Sequence, residues 1–366
     1  MAPGVVVSGR TEIPVRNLWL LMIYASELFQ SQDLPNIGGI EDNPDSLFDV
    51  IADVLATAVE RRLRRGLGRR YVSRREELHR VRGRIDLIGT ERRDLLRRGR
   101  VSCAFDELSV DDLRNRLLHT GLLIAARYAE STELAGRCRS AAGILAQFGV
   151  TAQPVSRREA ASIQLGRNDS QDMESIHAVR LLMEMAIPAE DGSGHAGRAP
   201  LRDIEQLRRL YERAVRGFYR ATLPAPWRVH RGELVIRWPV IDPSPGLAHV
   251  LPTMKIDTFV ENPDRRIVVE TKFTDALRDG GHGPRLKRDH LFQLYAYVQS
   301  QHGVDDLSRR TEGVLLYPTI GIDIDESATI QGHRYRYLSV DLAGSTTDIR
   351  SRLADVVTGD RAHSVG

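Results

Sequence analysis

Met254-Lys-Ile-Asp257-Thr-Phe-Val-Glu-Asn262-Pro-Asp264, followed after one arginine by Arg266-Ile-Val-Val-Glu270-Thr-Lys272, decides how this chain folds. Two β-rich runs flank a turn signal, Asn262-Pro263-Asp264. That pattern predicts a hairpin. Side chains alternate faces along a strand, so Glu270 and Lys272, two positions apart, share one face. The hairpin would return Asp257 beside them. Two carboxylates and an ammonium on one sheet edge suit a hard divalent cation and a water nucleophile. The bland alternative is a solvated strand pair with chance charges, and a short motif alone leaves both open.

Lysine usage sharpens the point. The chain holds three lysines, Lys255, Lys272 and Lys287, among 52 Lys+Arg. Arginine serves almost everywhere a plain positive charge would do. Lys272 is an exception. A compact ammonium can steer or give up a proton, whereas a guanidinium stays protonated.

Outward from the motif, the pattern is regular. Leu201 to Leu223 carries an apolar stripe at Ile204, Leu207, Tyr211, Ala214, Val215 and Phe218. This predicts a helix, ended by Pro224 and Pro226. Strands are expected at roughly 228–238, 249–260 and 265–272. A helix follows over Arg285 to Gln301, then strands at Gly313 to Tyr317 and Arg334 to Val340, then a short closing helix. The order α-β-β-β-α-β implies an α/β fold, a mixed sheet flanked by helices.

The N-terminal half reads as a mixed α+β domain. Ile13 to Glu27 is a strand end running into a buried helix. Asp45 to Leu67 is a second helix, with Leu47, Val50, Ile51, Val54, Leu55, Ala58, Val59 and Leu63 at helical spacing. Residues 70–110 look β-rich, including Val81-Arg-Gly-Arg-Ile-Asp-Leu87. Helices follow over Asp111 to Tyr128, Leu134 to Phe148 and Met173 to Met185. Asp191-Gly-Ser-Gly-His-Ala-Gly197 and Pro200 form the best linker signal. Two domains are therefore expected, residues 1–190 and 200–366.

Composition bounds the function classes. The 366 residues suit about two domains of ordinary size. No apolar run approaches the ~20 residues of a membrane span, and the N-terminus lacks a secretory pattern. The expected location is the cytoplasm. Cys103 and Cys138 have no paired metal spacing, which argues against a zinc site or a disulfide scaffold. His230, His249, His282 and His290 also lack ligand spacing. Neither a Walker-type loop nor a Gly-x-Gly-x-x-Gly turn is present, so nucleotide binding by this chain is not expected. Net charge is only +3, yet Arg61 to Arg100 holds 16 arginines against Glu76, Glu77, Asp86, Glu91 and Asp94. That cluster suits either phosphate contact or solvated helix faces.

The element order with Asp257 and Glu270-x-Lys272 resembles the PD-(D/E)xK nuclease fold. Glu212, in Leu210-Tyr-Glu-Arg213, stands on the preceding helix, where many such nucleases place an extra acid. Gln293 and Tyr297 give the Gln-x-x-x-Tyr pattern of the RecB-like branch, on one helix face. Further blocks resemble McrC, the nuclease subunit of 5-methylcytosine restriction systems. They are Ile13-Pro-Val-Arg-Asn-Leu-Trp-Leu-Leu-Met-Ile-Tyr-Ala25, Val81 to Leu87, Phe105-Asp-Glu-Leu-Ser-Val-Asp-Asp-Leu-Arg-Asn115 and Leu210-Tyr-Glu212. The chain departs from the pattern at Ile256, where a proline usually precedes the first acid, and at Glu270, where aspartate is more common.

The resemblance implies an endonuclease dependent on Mg²⁺, with Mn²⁺ as the alternative. Asp257, Glu270 and the Thr271 carbonyl would be the metal ligands. Lys272 would orient the attacking water or offset developing charge. Glu212 would hold a second metal, a metal-bound water or Lys272. Gln293 and Tyr297 would position the substrate backbone or the lysine. Bland roles remain open as well: Glu212 as a solvated helix acid, Tyr295 and Tyr297 as core aromatics. The implied partners are an McrB-like AAA+ GTPase hexamer, which the first domain would dock on and stimulate, and methylated double-stranded DNA. Arg16, Arg82 and Arg84 are candidates for contacting motor or DNA. A free-standing restriction or repair nuclease, and a non-catalytic adaptor of the GTPase, are the competing expectations.

Overall fold

The Asn262-Pro263-Asp264 turn forms, and Asn262 explains why the chain reverses there. Its Oδ1 accepts hydrogen bonds from the backbone N–H groups of Asp264 (2.9 Å) and Arg265 (2.8 Å), closing an Asx turn. In the computed structural model of the protein, residues 4–7, 11–30, 47–166, 169–191, 204–280, 283–319 and 323–359 are described. The chain divides into two units. One joins Met1–Leu47 to Ile187–Gly366; the other is Phe48–Ala186.

The first unit opens with a hairpin, β1 (Gly4–Val7) and β2 (Thr11–Pro14), which runs into α1 (Val15–Ala25). Then come α2 (Ile204–Thr222), β3 (Arg228–Val229), β4 (Leu234–Ile236), β5 (Met254–Ile256), β6 (Thr258–Glu261) and β7 (Arg266–Thr271). A hairpin of β8 (Leu277–Gly280) and β9 (Gly283–Leu286) precedes α3 (Arg288–Gln299). β10 (Thr311–Pro318), β11 (Asp325–Ile330), β12 (His333–Val340) and α4 (Thr346–Thr358) complete it. Six strands form one mixed sheet in the order β11-β12-β10-β7-β6-β3. β7, β10 and β12 run parallel, while β6 and β11 are antiparallel to their neighbours. This is the mixed α/β architecture expected from the element order.

β7 lies in the middle of the sheet, and all six of its residues are buried. Val268, Leu315, Tyr317 and Tyr335 pack with Leu294, Tyr297 and Val298 of α3 in one core. Full burial of such a side chain contributes about 1.5–3 kcal/mol. Gly313 makes the close approach of α3 possible. A Cβ there would stand 2.9 Å from Val298 Cγ2 and 3.0 Å from Leu294 Cγ.

Several expectations need correction. The strand expected over 249–260 breaks at Asp257, because β5 pairs with β4 whereas β6 pairs with β7 and β3. The strand expected over 228–238 divides in the same way, into β3 and β4. The division at 190 is also different, since residues 1–47 belong with the C-terminal unit. The cause is α1. Leu18, Leu20, Leu21, Met22, Ile23 and Tyr24 are all buried, so the helix cannot stand apart. Tyr24 meets Phe218 of α2 with ring centroids 5.1 Å apart, and Asn17 Nδ2 donates to the Leu342 carbonyl at 2.7 Å. The linker signal at 192–200 lies outside the described residues.

The second unit is α+β. The helix Leu47–Arg65 leads into an antiparallel sheet of Arg70–Leu78, Val101–Ser109 and Arg84–Ile85. Helices Leu113–Tyr128, Thr132–Gln147 and Ser170–Asp191 follow, the first two capped by Asp112 and Ser131. The expected strand over 81–87 shrinks to Arg84–Ile85. Gly83 adopts φ +68°, and Asp86 accepts from Gly89 N–H to start a short helix.

Candidate functional site

Asp257 occupies the gap between β5 and β6, so its backbone leaves the ladder just where its side chain is needed. Val269 pairs with Thr258, which brings the two following residues of β7 alongside Asp257. Thr271 donates to Asp257 Oδ2 twice, from its N–H at 2.9 Å and its Oγ1 at 2.8 Å. The hairpin expectation therefore holds, and Thr271 fixes one oxygen of the acid.

Glu270, on β7, and Lys272, the residue just past its end, form an ion pair between Oε1 and Nζ. Lys272 Nζ also donates to Gln293 Oε1 at 2.8 Å, and Gln293 Nε2 donates to the Tyr297 hydroxyl at 2.7 Å. The i, i+4 pair on α3 thus meets the lysine. Tyr297 is buried in the core and tied to this chain of polar groups at the same time. Tyr295 has the other fate, stacking on Tyr335 with centroids 6.2 Å apart.

Glu212 does not reach Lys272. Its Oε1 pairs with Arg216 Nη2 at 2.6 Å, one turn along α2, and Arg216 Nε donates to the backbone carbonyl of Asp257 at 2.7 Å. Arg216 was not singled out by the sequence. Its i, i+4 spacing from Glu212 is visible there, but one arginine among dozens does not stand out.

Electrostatics set this site apart. Glu270 is only 2% exposed, and its Oε2 has no hydrogen-bond partner. Burial, reinforced by the neighbouring Asp257 and Glu212, pushes its carboxyl up to about 8 despite the Lys272 ammonium. Burial also raises Asp257, against the pull of the Thr271 hydrogen bonds. It raises Glu212 too, with Asp257 adding to the effect. His290 moves the other way. Burial and the charges of Lys272 and Lys287 lower it to about 4, and its Nδ1 lies 3.0 Å from the Tyr317 hydroxyl.

Among the described residues no three His, Cys, Asp or Glu side chains form a ready metal cage. The site offers two carboxylates and main-chain oxygen, a donor set for a cation that keeps much of its water. The unpartnered Glu270 oxygen and the raised carboxyls fit a missing positive charge.

The other singled-out arginines belong to other elements. Arg16 is on α1, while Arg82 and Arg84 belong to the second unit. Arg82 sits 4.0 Å over the Phe105 ring and 3.5 Å from Glu107. Of the 16 arginines from 61 to 100, eight are ion-paired to a carboxylate: Arg61, Arg62, Arg70, Arg74, Arg75, Arg82, Arg93 and Arg97.

A family model described as "McrBC 5-methylcytosine restriction system component" matches residues 15–318. The chain is 22% identical over 346 residues to the type IV methyl-directed restriction enzyme EcoKMcrBC of Escherichia coli K12, covering 94% of this chain and 97% of that protein. A chain from the tetradecameric assembly of Thermococcus gammatolerans McrB AAA+ hexamers with bound McrC matches at 14% identity and a TM-score of 0.43, covering 97% of this chain and 82% of that one. A second structure, of the McrBC complex from the same organism, matches at 19% identity and a TM-score of 0.31, over 51% of this chain and 60% of that one.

Proposed function

We propose a function from one premise: this chain belongs to the family of McrBC 5-methylcytosine restriction system components. In that system it is the nuclease subunit, of the PD-(D/E)xK type. It cleaves DNA phosphodiester bonds when assembled with an AAA+ GTPase, whose GTP hydrolysis it stimulates. Its similarity to a methyl-directed restriction enzyme along nearly its whole length supports methylated double-stranded DNA as the substrate.

Asp257 and Glu270 would hold Mg²⁺, or Mn²⁺ in its place, with the Thr271 carbonyl as a third donor. The bound cation supplies Lewis-acid polarisation of a phosphate oxygen and a more acidic water. The side chains do the rest. Thr271 orients Asp257 by holding Oδ2. Lys272 is aimed by Glu270 on one side and Gln293 on the other. From there its ammonium orients the attacking water and offsets charge developing on the phosphate. Tyr297 anchors Gln293 and so keeps the lysine in register.

The convergence of Glu270, Lys272 and Gln293 at the C-terminal end of β7 carries this reading. A solvated strand pair would not bury a carboxylate with an unmatched oxygen beside the lysine. The test is cleavage of methylated plasmid by the chain alone and with its AAA+ partner and GTP. Cleavage restricted to the assembly agrees with a subunit role. Cleavage by the chain alone would make it a free-standing nuclease, and stimulation of GTP hydrolysis with no cleavage would make it an adaptor.

A further inference from the structure

The backbone break at Asp257 raises a question that Asp257, Glu270 and Lys272 do not answer. A residue between two strands with different partners has no ladder to fix its carbonyl, although Thr271 holds one oxygen of its side chain. Arg216 closes the gap. Its Nε donates to the Asp257 carbonyl at 2.7 Å while its Nη2 holds Glu212 Oε1 at 2.6 Å. Both ends are shielded: the side chains of Arg216 and Glu212 are 12% and 18% exposed. Glu212 precedes Arg216 by four residues, the favoured order for a helical acid–base pair. The guanidinium fork makes two bonds in fixed directions, which a lysine ammonium cannot reproduce. Arg216 is also a second cation, beside Lys272, acting on the Asp257 carboxylate.

We propose that Arg216 is a positioning residue of the nuclease site, clamping the α2 acid Glu212 to the strand break at Asp257 so that the carboxylates are set for the divalent cation. This rests on the nuclease reading above. Glu212 is thereby committed to Arg216 and acts on the site through it, not as a partner of Lys272.

The test uses the full chain as Arg216→Lys and Arg216→Gln, with Lys272→Ala and Asp257→Ala as controls. Three quantities are measured: Mn²⁺ affinity by calorimetry, kcat and KM for methylated DNA in the complete assembly, and stimulation of the partner's GTP hydrolysis. Outer residues that orient metal ligands typically change metal affinity by roughly 10–100-fold when replaced. The expected result is a loss of that size in Mn²⁺ affinity and a matching fall in kcat for both Arg216 variants. KM for DNA and GTPase stimulation stay at wild-type values, and Arg216→Lys does not rescue. Wild-type Mn²⁺ affinity in both variants would overturn the assignment. So would parallel losses of melting temperature and GTPase stimulation in both, which would mark an arginine needed only for folding. If Lys272→Ala cleaves as well as wild type and Asp257→Ala still binds Mn²⁺, the nuclease reading falls and the Arg216 role with it. If the controls fail as expected while Arg216→Lys behaves as wild type, only the Arg216 role falls.

Discussion

Glu270 and Lys272 meet as an ion pair at the end of a fully buried strand, yet Oε2 of the same carboxylate has no partner. One lysine therefore does not satisfy the site. The unmet oxygen and the raised Asp257 and Glu212 point to a further positive charge here, beyond Lys272 and Arg216.

Stability of the metal-free protein should depend on pH in a defined direction. Without a metal, burial pushes the Glu270 carboxyl up to about 8 in the folded chain, against an ordinary value of 4.5, even with Lys272 beside it. Between those limits the folded state binds more protons than the unfolded one, so stability falls as pH rises through that window. Melting temperatures in EDTA should drop from pH 5 to pH 8, and Glu270→Gln should flatten the drop. A metal-free wild type whose melting temperature rises over that range would contradict the burial argument.

Divalent cation should act against that trend. It favours the ionised carboxylates, so added Mg²⁺ should raise the melting temperature more at pH 8 than at pH 5. Asp257→Ala should abolish the Mg²⁺ effect at both pH values. An equal Mg²⁺ effect in wild type and Asp257→Ala would place the ion elsewhere.

The polar chain on α3 should show graded losses. Gln293→Ala removes a hydrogen bond to a charged group, worth about 1.5–3 kcal/mol, or roughly 10–100-fold in turnover. Tyr297→Phe removes a neutral bond one step further out, at about 1 kcal/mol. Steady-state kcat should therefore order wild type above Tyr297→Phe above Gln293→Ala. The reverse order would mean that Tyr297, not Lys272, is what Gln293 serves.

Gly313 should be a packing position with a functional echo. A Cβ there meets Leu294 and Val298, so Gly313→Ala should cost about 1–3 kcal/mol of stability and push α3 away from β10. Gln293 would move off Lys272 with it. Trimming Leu294 to Ala in the same chain should recover part of the activity. No recovery in the double variant would detach the helix position from the site.

Much of the site was legible because its residues are close in sequence or fall at simple spacings. The turn signal at Asn262 and the two-residue step from Glu270 to Lys272 sufficed to bring Asp257 back to them. The four-residue step from Gln293 to Tyr297 placed both on one face of α3. What could not be read were events set by long-range pairing. The break at Asp257 arises because β5 and β6 choose different partners, and no local signal marks it. Arg216 was hidden by the abundance of arginine. The membership of residues 1–47 in the C-terminal unit depends on what the buried α1 packs against, which periodicity cannot tell. β11 pairs only with β12 on its way to the sheet edge, and its polar, exposed residues give no strand pattern.

The arginine cluster of the second unit also looks different once folded. Half of its 16 guanidinium groups already stand against carboxylates among the described residues. If this cluster alone meets DNA, the other eight arginines set a log–log salt slope of about −7 for the isolated chain. A slope beyond about −10 would bring in cations outside those eight.

Lys272→Ala in the complete assembly is the most direct measurement. With methylated plasmid, GTP and Mg²⁺, cleavage should fall by roughly 100–1,000-fold, the scale for losing a preorganised donor at a reacting centre. Stimulation of GTP hydrolysis should persist at the wild-type level. Wild-type cleavage by Lys272→Ala would contradict the assignment of the C-terminal end of β7 as the nuclease site.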